Sequence, residues 1–464
     1  MNAPHVAGAT ALQRIAQWVC GDAVERMPEA GLATARLAFA DTLAVTLIGS
    51  RRAAPRIVAS LDASSAGREV ASLVGMRSRA SLARAAFVNG TSAHADLFDD
   101  NSAPMIAHPS APLVSALFAL AQACGASGRD LLYAYCAGFE VGVSLGRALN
   151  PRIYEQGWHV TRVLGVLGTT AACCRLAGLG EAATVNALGI ATSAAGGLRQ
   201  HFGTMTMALH AGWTARDAIE ATLLAQRGFD ADAAGLDGRY GLVSVFADMP
   251  FEMPALGAPF ELVDSGIIFK PWPCGAPTHA AVDAALALRG ARGIAPAQVE
   301  HVVCRVHPWN AMTLREEPPS TPNQARVNLR FCVAAALRFG RLTPDEFSAE
   351  ALHDPMLVRL MQAFEIRIDD SLPDNGEFPA AVDIRLSDGT TVTERREVPP
   401  GGSGRRLGET EIHAKFRACA AGVLDGAARD DALAALAQLD ALAGVGPLAR
   451  LLEGNGPLAT APQS

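Results

Sequence analysis

The chain has 464 residues, half of them hydrophobic and 18% charged, and carries a formal charge of -7 at pH 7. That composition buries a large core, sets disorder aside and suits two domains. A net negative charge without any block rich in Lys or Arg excludes a nucleic-acid surface, which needs a basic stripe. The nine cysteines are odd in number and sit in apolar runs such as Cys173-Cys174. They read as buried thiols of a reducing compartment. The N-terminus lacks the basic and apolar regions of a signal peptide, so a cytoplasmic location is expected. The uncharged run from Pro109 to Gly128 approaches membrane-spanning length. Its prolines, serines and alanines instead fit a helix buried in a soluble protein, and no membrane partner is expected.

From residue 10 to about 250 the pattern is helical throughout. Leu12/Ile15/Ala16/Val19 and Ala40/Leu43/Ala44/Leu47 recur at the spacing of one helix face. Ala- and Gly-rich helices are predicted over 114–126, 131–148, 163–176, 181–195 and 209–227, and no strand is predicted in this half. After the Pro/Gly-rich stretch 249–259 the period changes. Val302/Cys304/Val306, Phe364/Ile366/Ile368 and Val382/Ile384/Leu386 alternate with polar residues, and Asp388-Gly389 marks a hairpin. Helices are expected near 276–290 and 323–339. Helical period returns from Glu409. The expected fold is mainly α, with a large helical domain, 1–262 completed by 403–464, and a smaller inserted α+β lid domain, 263–402.

Acid/base chemistry concentrates in four clusters. They are His94-Ala-Asp96-Leu97-Phe98-Asp99-Asp100 with His108, Gly157-Trp-His159 with Arg162, Gly203-Thr204 through His210, and Phe269-Lys270 through Cys274, Thr278 and His279. Carboxylates and imidazoles beside apolar sequence are costly unless paired or used. Each cluster alone has a plain reading: Asp99-Asp100 as a helix cap, His108 as a structural histidine, Lys270 as a turn lysine. Together, at helix ends rich in Gly and Pro, they suit a ligand bearing carboxylates. Gly142-Val-Ser144-Leu-Gly146 matches a nucleophile pattern but lies in a helical run. Zinc, ATP and dinucleotide motifs are missing from the sequence, so no cofactor and no metal are expected.

In this order the clusters resemble the MmgE/PrpD family. The matching pieces include Phe39-Ala-Asp41, Asn89 through His94, Phe98-Asp99-Asp100, His108-Pro-Ser, Gly157-Trp-His159, Gly203-Thr-Met-Thr206, Leu209-His210-Ala-Gly212, Phe269-Lys270-Pro-Trp-Pro-Cys274, Thr278-His279 and Ala414-Lys-Phe-Arg417. The family includes 2-methylcitrate dehydratases, cis-aconitate decarboxylases and iminodisuccinate epimerases. The resemblance implies a homodimeric, metal-independent lyase acting on a small di- or tricarboxylate between its two domains. It carries catalytic roles onto His108, His159 and Lys270, with Asp99 or Asp100 orienting a histidine. Thr204, His210, Asp96, Cys274 and His279 are expected near the substrate. An epimerase of an amino- or imino-polycarboxylate and a non-catalytic carboxylate-binding homologue remain as alternatives. Three positions depart from the family pattern: Leu97 for an aspartate, Met207 for a lysine and Phe331 for a tyrosine. Arg162, with Arg199 and His201 as further cations, is expected to replace the missing lysine.

Overall fold

The computed structural model describes residues 8–61, 69–314 and 317–455. The first residues of the N-terminus, read above for a leader, and the last residues of the 403–464 stretch lie outside them. The fold is mainly α. Helices Ser110–Cys124, Gly128–Leu149, Gly165–Leu176, Glu181–Ala194 and Met205–Gln226 fall close to their expected positions. Small residues let these helices meet closely: a Cβ on Gly146 would lie 2.6 Å from the Met105 backbone, and Gly142 faces Gly168. The glycines around Ser144 therefore serve helix packing. One helix, Glu29–Gly49, is long and apolar enough to cross a membrane, and 67% of its most apolar stretch is buried within the protein.

One short hairpin interrupts the helical half, where no strand was expected: β1 (Ala71–Leu73) pairs antiparallel with β2 (Ser78–Ala80). Three residues per strand are too few to display a period of two. Its turn needs positive φ at Gly75 and Arg77.

The other strands are β3 (Val299–Val306), β4 (Phe364–Ile368), β5 (Ala380–Leu386) and β6 (Thr391–Arg396), in the sheet order β4-β3-β5-β6. β5 and β6 form the expected hairpin, with Gly389 at φ +85° and the Asp388 carboxylate accepting from the Thr390 N–H. β4 runs parallel to β3 at the sheet edge, which leaves Ile368 54% exposed despite its alternating sequence. Helix His279–Arg292 covers the sheet and helix Leu329–Phe339 packs on that helix, the second split from Pro322–Ala325 by an Asn328 cap that accepts from the Phe331 N–H.

Two large apolar cores result. One joins helices of the N-terminal half to Ile412, Phe416, Leu433 and Leu448 from the C-terminal stretch, and the other runs from Cys274 to Val392. A cavity of about 420 Å³ lies between them, lined from the first half by Leu97, His108, Tyr154 and His159 and from the second by Pro277, Trp309, Val327 and Phe378.

Candidate active site

Local backbone pairing folds the acidic segment around the cavity. The Ser102 N–H donates to the Ala107 carbonyl, which turns His108 back toward Asp99 and Asp100. Asn101 and Ile268 exchange both backbone hydrogen bonds, which brings Lys270 to the same place from a distant part of the chain. Lys415 fastens the junction from the C-terminal helix Glu409–Ala420. Its ammonium donates to the Phe98 and Lys270 carbonyls at 2.7 and 3.0 Å and pairs with the buried Asp41 at 2.7 Å.

Three imidazoles meet here. His94, His108 and His159 place one ring nitrogen each within 4.8 Å of one another, close enough to share a metal ion. His94 Nδ1 donates to Asp99 Oδ2 at 2.8 Å, and His108 Nδ1 lies 3.7 Å from the same oxygen. Burial alone would raise the Asp99 carboxyl, but His94 and His108 beside it hold it below the usual range, so it is a carboxylate. Its neighbour behaves differently. Asp100 is pushed up to about 7 by burial, although it accepts hydrogen bonds from the Ser110 hydroxyl and N–H. It thereby caps the helix that begins at Ser110. The adjacent aspartates thus serve different partners, since Asp99 holds imidazoles while Asp100 holds a helix.

His108 Nδ1 lies 2.7 Å from the Asp100 carbonyl. A carbonyl only accepts, so Nδ1 carries the proton and Nε2 keeps a lone pair. Burial, with the Lys270 ammonium 3.4 Å from Nδ1, lowers this imidazole well below the ordinary histidine range. His159 lines the cavity beside it. Its Nδ1 shares a proton with His210 Nδ1 at 2.8 Å, and burial followed by the neighbouring His210 lowers it likewise. His210 itself is brought down to about 3, first by burial. The imidazoles facing the cavity are therefore neutral at pH 7: His108 can take a proton at Nε2, and His159 can give one there when its Nδ1 accepts from His210.

Lys270 is fully buried, and burial lowers it while Asp99 opposes that shift. It donates to the Leu97 carbonyl at 3.1 Å. Leu97 adopts φ +51°, a left-handed conformation that costs a branched residue roughly 1–2 kcal/mol. Ile106 and Phe378, both also on the cavity lining, have positive φ as well. Backbone strain gathers where such sites are built.

Several residues expected near the substrate lie elsewhere. Arg162 does sit close to His159, but its guanidinium is committed to Asp217 at 3.0 Å, the Ala194 carbonyl and the Trp213 ring. It therefore does not replace a cavity lysine. Asp96 is held by Arg326 at 2.6 Å and Arg52 at 2.8 Å. Arg199 stacks on the Tyr154 ring, and Thr204 bonds the His201 carbonyl at the start of the Met205–Gln226 helix. Cys274 and His279 bond within their own turn, where His279 Nε2 meets the Cys274 carbonyl at 3.2 Å. Phe331 packs on Phe347 in the second core, so a tyrosine there would not reach the cavity from this position. His94, Asp41 and Lys415 shape the site although the sequence alone gives none of them a role. Their signal is charge inside otherwise apolar motifs, and two of them have partners far away in sequence.

A helical protein that holds paired imidazoles, a carboxylate and a buried ammonium against one cavity has the build of an acid/base enzyme. Residues 13–253 match the MmgE/PrpD N-terminal domain and residues 272–440 the MmgE/PrpD C-terminal domain, and the chain belongs to the MmgE/PrpD family. It is 30% identical to the cis-aconitate decarboxylase of Mus musculus over 384 residues, covering 80% of this chain and 78% of that protein. The cis-aconitate decarboxylase of Homo sapiens is 30% identical over 386 residues, 80% of each chain. A cis-aconitate decarboxylase-like protein of Aspergillus oryzae is 26% identical over 418 residues, 83% of this chain and 85% of the other.

Proposed function

We propose that the protein is a lyase that removes carbon dioxide or water from a small carboxylic acid, by proton transfer at a carbon next to a carboxylate. The observation that carries this reading is the pair of cavity imidazoles, His108 and His159, each neutral and each with Nδ1 already engaged. In decarboxylation the C–C bond breaks, its electron pair spreads onto the neighbouring carboxylate, and an imidazole N–H protonates the carbon. In dehydration one Nε2 takes the proton and the other imidazole protonates the departing hydroxide. A positioned general acid or base contributes about 10²–10⁴-fold. Lys270, 3.4 Å from His108 Nδ1, adds to burial in keeping that ring neutral. The relatives named for cis-aconitate support a polycarboxylate as the starting expectation for the substrate.

Two imidazoles on one cavity, with ring centroids 6.4 Å apart, also suit two-base epimerisation. Incubation of candidate acids in deuterated water separates these readings. Loss of carbon dioxide or water supports the lyase, and exchange at carbon without loss selects the epimerase. Neither reaction with any acid would leave a non-catalytic binding protein.

In the same proposal, 263–402 acts as a lid over the domain formed by 1–262 and 403–464, with Trp309, Leu314 and Phe378 closing the cavity. The nine free cysteines support a cytoplasmic setting, and the family resemblance supports a homodimer that works without a cofactor.

A further inference from the structure

The cavity has one polar side and one side without charge. His108, His159 and Asn101 make the polar side. Beside it, where the Phe202 ring lies edge-on to His159 at 4.9 Å, Leu97, Met207 and Val327 form a separate buried apolar cluster with Phe202 packed on it, and all four line the cavity. Among the described residues the lining includes no lysine and no arginine, and its only formally charged members are the carboxylates Glu155 and Asp374. The nearby cations already hold carboxylate or carbonyl partners: Arg162 holds Asp217, Arg326 holds Asp96, and Lys270, behind His108, holds the Leu97 carbonyl. A carboxylate pressed against the Leu97/Met207 wall would lose water and gain no partner.

We infer that the substrate presents one carboxylate to the polar side and an uncharged, apolar arm to the wall of Leu97, Met207, Val327 and Phe202. This rests on the acid/base reading above, in its dehydration form, and replaces the polycarboxylate starting point with an acid that has an alkyl or alkenyl arm. A cavity of about 420 Å³ leaves room for a branched chain of several carbons. Met207 and Leu97 are then specificity-determining residues, because they occupy the wall at which a further carboxylate would need a cation.

The test is calorimetric titration of the full chain with 4-methylpentanoate and with tricarballylate. We expect the branched monocarboxylate to bind at least about tenfold tighter, and Met207→Lys to reverse that order. Tighter binding of tricarballylate by the native chain, no binding of the monocarboxylate, or an unchanged order in Met207→Lys would overturn the inference. If the lysine variant does not fold, Met207→Gln should cut monocarboxylate affinity about tenfold, and no change would count against the inference. His159→Gln keeps the two readings apart. If it retains the binding order but both it and the native chain leave the α-protons of every acid unexchanged in deuterated water, the lyase reading fails while the substrate class stands.

Discussion

The two walls of the cavity are built on opposite rules. On the histidine wall every charged or titratable group has a partner: His94 with Asp99, His108 with the Asp100 carbonyl, His159 with His210, Lys270 with the Leu97 carbonyl. On the adjoining wall, Leu97, Met207, Val327 and Phe202 offer only apolar surface. Reaction chemistry and choice of substrate are thus carried by separate residues, so one can change while the other is kept.

Breaking the histidine wall should have the greatest consequence. His159→Asn or Lys270→Met should lower turnover by at least about 10²-fold with the circular dichroism spectrum unchanged. Native turnover from both would refute the assignment of this wall to catalysis. Breaking the clamp beneath both walls comes next. Lys415→Met leaves Asp41 buried without its ammonium, and removing one partner of a buried pair costs roughly 3–5 kcal/mol, measurable by urea unfolding. The double variant Lys415→Met/Asp41→Asn should recover part of that loss.

Acid acts on the two walls unequally, because titrating imidazoles lie on one of them only. Burial lowers His108, His159 and His210, the last to about 3 from an ordinary 6.5. Below pH 6.5 the unfolded chain binds protons that the native rings refuse. Their contribution to stability is therefore full above 6.5 and is lost as pH falls toward 3. Asp100, pushed up to about 7 from 3.8, acts in the opposite sense, since its native carboxyl keeps a proton that the unfolded chain releases. Asp41 and Glu140, also raised by burial, act in the same sense as Asp100, so the rings are read by difference: His210→Gln should lose less melting temperature between pH 7 and pH 5 than the native chain does. The acid limb of kcat/KM should lie below the ordinary histidine value for the same reason. Chelation should matter least. The Lys270 ammonium 3.4 Å from His108 repels a second cation from the three imidazoles, so turnover should survive dialysis against EDTA unchanged. A loss that zinc restores would make the cluster a metal site.

Much of this was legible in the sequence. Glycines and prolines around His108, His159 and Lys270 marked them as residues at helix ends, and the change of period after residue 259 marked the strands. Contacts made across the chain were not legible. The spacing of Arg162 from His159 said nothing of Asp217, which takes its guanidinium from 55 residues away. Asp41 and Lys415 meet only because both terminal halves share one core. Leu97 and Met207 read as isolated departures from a family pattern until the fold placed them side by side. The parallel β3–β4 pairing was hidden because alternation reveals a strand and not its neighbour.

Whether His159 moves a proton within this cavity is decided most directly by mass spectrometry of an acid from the substrate panel, incubated in deuterated water with the native chain and with His159→Gln. The native chain should place deuterium at the carbon next to the carboxylate, in product or recovered acid. His159→Gln should lower that rate at least about 10²-fold while still binding the acid. Equal deuterium incorporation by the two proteins would remove His159 from the proton transfer.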